Sequence, residues 1–141
     1  MNPKLLNHKG TSTVEMAMVL PLLLLLLFGI IEFGLLLYDK AMITNASREG
    51  ARAGIVFRAT STGTYNPLTV GEITGVVNNY LGSNLVSFGA GNLNVTAATC
   101  SPGGSITVTV DYTYHFLVLP NIAELITGPI NLTAATTMRC E

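Results

Sequence analysis

The side chains that could support catalysis or metal binding are few and far apart in this 141-residue chain. Cys100, His115 and Cys140 lack the short ligand spacing that zinc sites show. Catalysis at His115 would need a positioned nucleophile or acid–base partner. Asp111 is the nearest acid in sequence, and neither a serine-centred elbow nor a glycine-rich phosphate loop accompanies it. We therefore expect no enzyme activity, no cofactor and no metal.

The two cysteines are better suited to a disulfide. Cys100 and Cys140 are the only cysteines, and both lie in the part of the chain that we expect outside the cytoplasm, where an even pair favours a bridge. Closing a loop of about 40 residues contributes roughly 4 kcal/mol in the chain-entropy model. Two reduced thiols are the alternative if this topology is wrong.

A long apolar run dominates the N-terminal part of the chain. Met16–Tyr38 carries one charged residue, Glu32, and as a helix it would span about 35 Å, more than a hydrocarbon core of about 30 Å. Lys4 and Lys9 precede the run, so the positive-inside rule places the N-terminus in the cytoplasm and the rest outside. We expect one membrane span over residues 16–38, with the C-terminal part outside.

Glu32 is costly inside such a run unless it is relieved. It lies about 24 Å along the helix from Met16, so it could reach the outer interface, contact a partner helix or be protonated. These alternatives stay open.

The charge distribution excludes one class of partner. No lysine or arginine occurs between Ala59 and Met138, and nucleic-acid binding needs clustered cations. We expect no nucleic-acid partner.

The helical pattern continues beyond the apolar run to about Phe57. Its small and apolar positions recur at spacings of three, four and seven, which places them on one stripe of a helix: Leu35, Met42, Ala46, Gly50, Ala53 and Phe57. Glu49 and Arg52 are three apart and can pair weakly. The stripe could cover the protein's own sheet or contact another chain, and both could hold along different stretches.

The remaining residues predict a small α+β head. A short helix from Thr69 or Val70 to about Gly82 is followed by alternating strands, and Cys100–Ser105 is the turn of an antiparallel hairpin. The alternating positions are Leu93, Val95 and Ala97, then Ile106, Val108, Val110, Tyr112, Tyr114 and Phe116, then Ile130, Leu132, Ala134, Thr136 and Met138. A short helical connection is expected over 120–126. We predict an antiparallel sheet of three or four strands packed on the long helix.

The junction before the apolar run resembles the prepilin signal of the type IV pilin superfamily. A ten-residue leader ends in Gly10, and Glu15 follows five residues later. The resemblance implies a prepilin peptidase that cuts after Gly10 and leaves Thr11 as the new N-terminus. It also implies a type IV pilin-like fold. The predicted division is therefore a leader over 1–10, a long helix over 11–57 and an extracytoplasmic head over 58–141.

Two further runs resemble the TadE-like proteins of Tad (Flp) pilus systems: Phe28–Gly34 and Asn45–Arg52. That family implies a pilin-like minor component. Its implied partners are other pilins or pseudopilins, the prepilin peptidase, the inner-membrane assembly platform and membrane lipid. The implied assembly and helix contacts are Glu15, Glu32, Arg48, Glu49, Gly50 and Arg52.

Glu15 has two compatible interpretations. Ser12-x-x-Glu15 is a capping-box pattern at a helix start. In pilins, the corresponding carboxylate is thought to neutralise the N-terminal amine of an adjacent subunit, here Thr11.

Three functions are consistent with these features. The first is a pseudopilin that acts by helix packing and enters, or lies at the base of, the extracellular pilus. The second is an uncleaved bitopic scaffold of the same machine. The third is a binding or adhesion module on a helical stalk.

Overall fold

The computed structural model describes residues 9–59, 63, 65–82, 84–86, 91–116 and 128–140. Within them the elements are α1 (Lys9–Gly54), β1 (Phe57–Ala59), β2 (Tyr65–Pro67), α2 (Val70–Leu81), β3 (Leu93–Ala97), β4 (Ser105–Tyr114) and β5 (Ile130–Arg139). Leader residues 1–8 and the helical connection predicted over 120–126 lie outside the described residues. The predicted α+β architecture, with one long N-terminal helix on small antiparallel sheets, is confirmed.

The helix α1 is 46 residues long and passes through Pro21. It ends at Gly54, whereas the pattern predicted an end near Phe57. The chain turns here because the backbone N–H of Val56 bonds to the carbonyl of Ala53 at 3.2 Å, which tightens the last turn. Phe57 then pairs with Pro67 as the first residue of β1.

Two antiparallel sheets form the head. The smaller contains β1 and β2, and the larger has the order β3-β4-β5. In the larger sheet Val95 pairs with Val110, and Val110 pairs with Ala134. The predicted hairpin and last strand are therefore confirmed. Burial along β4 alternates from Ile106 to Tyr114, because successive strand side chains point to opposite faces.

The short helix α2 begins as predicted. Thr69 is its N-cap, and Thr69 and Glu72 form a complete capping box. The Thr69 backbone N–H and hydroxyl both donate to the Glu72 carboxylate at 2.9 Å, and these bonds hold the pKa of Glu72 below its ordinary value. Arg58 of β1 also pairs with Glu72, at 2.9 Å, so β1 and α2 are joined at the surface.

The core lies between the inner face of the larger sheet, α2 and one side of α1. Its fully buried large side chains come from all three: Ile43 from α1, Ile73, Val77 and Leu81 from α2, and Ile106, Val108, Val110 and Tyr114 from β4. A disulfide closes the far end of the sheet. It joins Cys100, before the β3–β4 turn, to Cys140, after β5, with their Cα atoms 5.9 Å apart.

Candidate functional site on the long helix

The long helix has two halves with different surroundings. In the lower half, Lys9–Ile31, all the large apolar side chains except the half-buried Phe28 are exposed: Val14, Met16, Met18, Val19, Leu20, Leu22–Leu27, Ile30 and Ile31. In the upper half, Glu32–Gly54, one side is covered by the head.

Among the described residues, one helix is long and apolar enough to cross a membrane. Only 6% of its most apolar 18-residue window is buried. A core helix would be mostly buried, so the lower half has the exposure of a membrane or partner-facing helix rather than that of a core element.

Glu15 lies on the lower half, exposed, with no hydrogen bond or ion pair to the described residues. The capping-box alternative does not match its position. The helix already includes Lys9 and Gly10, so Ser12 is inside α1 and not at its N-cap. The Gly10–Thr11 bond is likewise within the helix in the full-length chain. Glu15 therefore presents a carboxylate on an apolar helix surface.

Glu32 marks the boundary between the halves. It is 4% exposed, and the hydroxyl of Tyr114 donates to its carboxylate Oε1 at 2.6 Å. Burial, this bond and the charges of Glu32 and Asp39 raise the pKa of Tyr114 well above its ordinary value. Tyr114 therefore remains a protonated donor, and the Glu32 carboxylate is held by the head of its own chain.

Asp39 and Lys40 contact the head as well, which the sequence analysis did not predict. Asp39 is fully buried, and its Oδ1 accepts the backbone N–H of Val86 at 3.0 Å. Its Oδ2 has no hydrogen-bond partner among the described residues. Burial raises the pKa of Asp39, and the Val86 bond opposes that rise. The Lys40 ammonium donates to the carbonyl of Thr133 in β5.

A signal for Asp39 was present in the sequence. It lies seven residues after Glu32, close to two helical turns, so the two carboxylates share one face of α1. Because Asp39 is followed by Lys40, their opposite charges were expected to cancel at the end of the span. In the structure the two side chains contact different parts of the head, Asp39 at Val86 and Lys40 at Thr133.

Small residues let the upper half approach the head closely. A Cβ built on Gly50 would lie 2.6 Å from Val77 Cγ2, and one on Gly54 would lie 2.5 Å from Ile106 Cδ1. Between them and Lys40, Ser47 is fully buried, and its hydroxyl lies 2.7 Å from that of Thr136. The predicted stripe therefore packs on the protein's own head. Gly50, expected as a helix contact, makes that contact within the chain.

The opposite side of the upper half carries the exposed arginines. Arg48 and Arg52 are exposed, and Arg48 reaches Asn45 Oδ1 at a long 3.4 Å. The one salt bridge found within the described ranges is the Arg58–Glu72 pair, so the expected Glu49–Arg52 pair does not form there. These side chains remain available to a partner.

The residues considered for metal chemistry are not assembled. Across the described part of the chain, no group of three or more histidine, cysteine or acidic side chains could hold a metal ion. His115 follows β4 and is half-buried, and both cysteines are in the disulfide. The absence of catalysis and of a cofactor stays a prediction.

Comparison with known proteins adds one finding. A family model described as TadE-like protein matches residues 10–52, from the predicted processing site to the end of the arginine-containing run. No curated protein and no solved structure matches the chain. The matched segment contains Glu15, Glu32 and Arg48 and stops before the head. The resemblance read from the motifs is thus confirmed over residues 10–52, and that segment is similar to the TadE-like protein family.

Proposed function

We propose that the protein is a pilin-like minor subunit, or pseudopilin, of a Tad-type pilus. It is inserted in the bacterial inner membrane through residues 16–38 of α1, with its N-terminus in the cytoplasm and its head outside. It is cut after Gly10 by a prepilin peptidase and acts by packing its helix against other pilins at the assembly platform.

The observation that carries this proposal is the division of α1 into two halves. The head covers the upper half, so the exposed apolar side chains of the lower half are left for lipid or for neighbouring helices. Membrane helices associate through van der Waals packing and interhelical polar contacts. A protein that acts by helix packing needs an exposed helix surface, and its folded domain must leave that surface uncovered.

Glu15 supplies the polar contact in this proposal. After cleavage, Thr11 would carry a free amine. In each subunit Glu15 lies four residues after Thr11, directly before the apolar run that begins at Met16. The amine of one subunit could therefore pair with the Glu15 carboxylate of a neighbour. Leaving either charge unpaired in low dielectric is costly, so a pair between subunits would set the axial offset of one helix against the next. The exposure of Glu15 is compatible with such a pair.

The disulfide supports the location of the head. Disulfides persist in oxidising compartments outside the cytoplasm and are rare within it. Cys100 and Cys140 are bonded across the end of the sheet, which fits an extracytoplasmic domain.

An uncleaved bitopic scaffold is the second candidate, and one observation favours it. The Gly10–Thr11 peptide bond lies within α1, and proteases generally need an extended or unwound segment. In this alternative, α1 holds the protein in the membrane, and the head acts from the outer side.

The test is the N-terminus of the native protein, measured by intact mass in membrane and sheared-surface fractions. A start at Thr11, present in the sheared fraction, supports the fibre subunit. A start at Met1 in the membrane fraction alone overturns it in favour of the scaffold. Gly10→Ala is the matched variant, because a Cβ at Gly10 meets nothing within 4 Å. It should block processing while leaving the head folded.

A further inference from the structure

An apolar groove lies where the head meets the border between the two halves of α1. It has a volume of about 440 Å³ and is lined by Gly29, Glu32, Phe33, Leu36, Phe116 and Ile130. Phe116 follows β4 and Ile130 begins β5, so one wall belongs to the head and the other to the helix. The groove is therefore a joint surface of the two parts.

Among the described residues, the walls of the groove are almost wholly apolar. Within that part of the lining, the one ionisable residue is Glu32, and Oε1 of its carboxylate already accepts the Tyr114 hydroxyl. The rings of Tyr114 and Phe116 meet edge to face, with centroids 5.8 Å apart and planes at 84°. This contact holds the Phe116 wall in place. Water in the groove would find few partners, and buried water needs two to four.

The position of the groove along α1 identifies the surrounding medium. Counted from Met16, Gly29 and Leu36 lie roughly 20 and 30 Å along the helix, within the outer part of a hydrocarbon core about 30 Å thick. Phe33, which lines the groove, is 61% exposed. The groove is therefore open on the side where the helix faces lipid.

The groove is large enough to hold an apolar ligand. An apolar cavity of about 150 Å³ stays dry and binds benzene, and small-molecule pockets range over about 300–1,000 Å³. Where nothing lies against them, the lining side chains lack dispersion contacts on the groove side. At this depth the abundant apolar material is the acyl chain of a phospholipid.

We infer that the groove is a lipid site that holds one acyl chain of a membrane phospholipid between α1 and the head. This inference rests on the proposed membrane insertion of α1 and adds a specific lipid contact of the head. The bound chain would fill the gap beside the Glu32–Tyr114 hydrogen bond and keep water away from it.

The test places a photoreactive benzophenone amino acid at Phe116, on the head wall of the groove. The full chain is reconstituted in vesicles of phosphatidylethanolamine and phosphatidylglycerol, illuminated, and analysed by mass spectrometry for the partner captured at that position. The expected product is a phospholipid adduct. Capture of a second copy of the chain, or of the chain's own residues 117–127, would overturn the inference.

Two glycine variants serve as a matched pair. A Cβ at Gly29 or at Gly34 meets nothing within 4 Å, but only Gly29 lines the groove. Gly29→Phe should fill the groove and lower the lipid adduct at Phe116 about tenfold, while Gly34→Phe should leave it unchanged. Equal adduct yields in the two variants would refute the lipid site. Ile130→Phe fills the groove from the strand side and should repeat the loss if Gly29→Phe folds poorly.

The same probe at Leu24, in the exposed lower half, tests the membrane insertion of α1 separately from the lipid site in the groove. Lipid adducts at Leu24 without adducts at Phe116 would leave the membrane insertion intact and reject the lipid site. The absence of adducts at both positions would reject the insertion itself.

Discussion

The lower and upper halves of α1 form one continuous helix, yet they differ in the polarity and the burial of their side chains. From Met16 to Ile31 the lower half is apolar all round and almost wholly exposed. The upper half is less apolar, and the side that it buries contains Glu32, Asp39 and Ser47 together with Gly50 and Gly54. A free apolar surface needs no specific partner within the chain. A buried polar side chain needs one, because burial without a hydrogen bond is costly.

The upper half is the part of the helix that is held by contacts within the chain. The head is attached by individual contacts of Glu32, Asp39 and Lys40, and by the close approach of the two glycines. Substitutions in the upper half should therefore affect the stability of the head. Substitutions in the lower half should affect assembly and leave the head folded.

Glu15→Leu should give the largest effect. If Glu15 pairs with the Thr11 amine of a neighbour, its removal leaves an unpaired charge, which costs about 3–5 kcal/mol and corresponds to roughly a hundredfold or greater loss of assembled protein. The measurement is the amount of this chain in the sheared-surface fraction. Thermal unfolding of the head should be unchanged, and Glu15→Asp, which keeps the charge, should recover part of the assembly. Normal assembly of Glu15→Leu would contradict the assignment of the lower half to assembly.

Removal of the disulfide tests the stability of the head itself. In the variant Cys100→Ser with Cys140→Ser, the free energy of unfolding of the head should fall by about 4 kcal/mol, because the bridge closes a long loop. The sequence separation of the two cysteines is 40. Thermal unfolding followed by near-ultraviolet circular dichroism measures this loss. The far-ultraviolet circular dichroism of the lower half, which reports its helix content, should persist after the head unfolds. If this signal is lost in the same transition, the two halves do not unfold independently.

The two glycine environments give the most direct contrast between the halves. Gly50→Val should destabilise the head by about 1–3 kcal/mol, because the added atoms overlap the buried side chains of Val77 and Val108. Gly34→Val is the matched control, since a Cβ there meets nothing within 4 Å. Chemical unfolding of both variants measures the difference. Equal stabilities would show that the upper half is packed more loosely than the structure indicates.

Asp39→Asn should give the smallest effect, seen as a change in pH dependence. Because burial raises the pKa of Asp39 in the folded state, its contribution to stability is complete below the unfolded value of 3.8 and is lost as the pH rises through the folded value. The stability of Asp39→Asn relative to the native chain should therefore increase from acid to neutral pH. Unfolding midpoints of the two proteins across that range provide the measurement, and parallel curves would contradict the expectation.

Local patterns predicted most of the secondary structure. The alternation in β4, the strand β5 and the capping box of α2 each depend on neighbouring residues and on the periodicity of the backbone. The pair β1 and β2 was missed. Tyr65–Pro67 follows a stretch rich in threonine, serine and glycine, which is typical of loops, and only its pairing with Phe57–Ala59 makes it a strand.

The amino-acid sequence was enough to predict the apolar helix, the class of the head, the disulfide between the two cysteines and the TadE-like resemblance over residues 10–52. The hydrogen-bond partners of the buried carboxylates became visible only in the folded chain. Glu32 meets Tyr114, 82 residues away, and Asp39 meets Val86, 47 residues away. Periodicity can place both carboxylates on one face of a helix. Periodicity does not predict the hydrogen-bond partners of these carboxylates, because the partners depend on how distant elements pack in three dimensions.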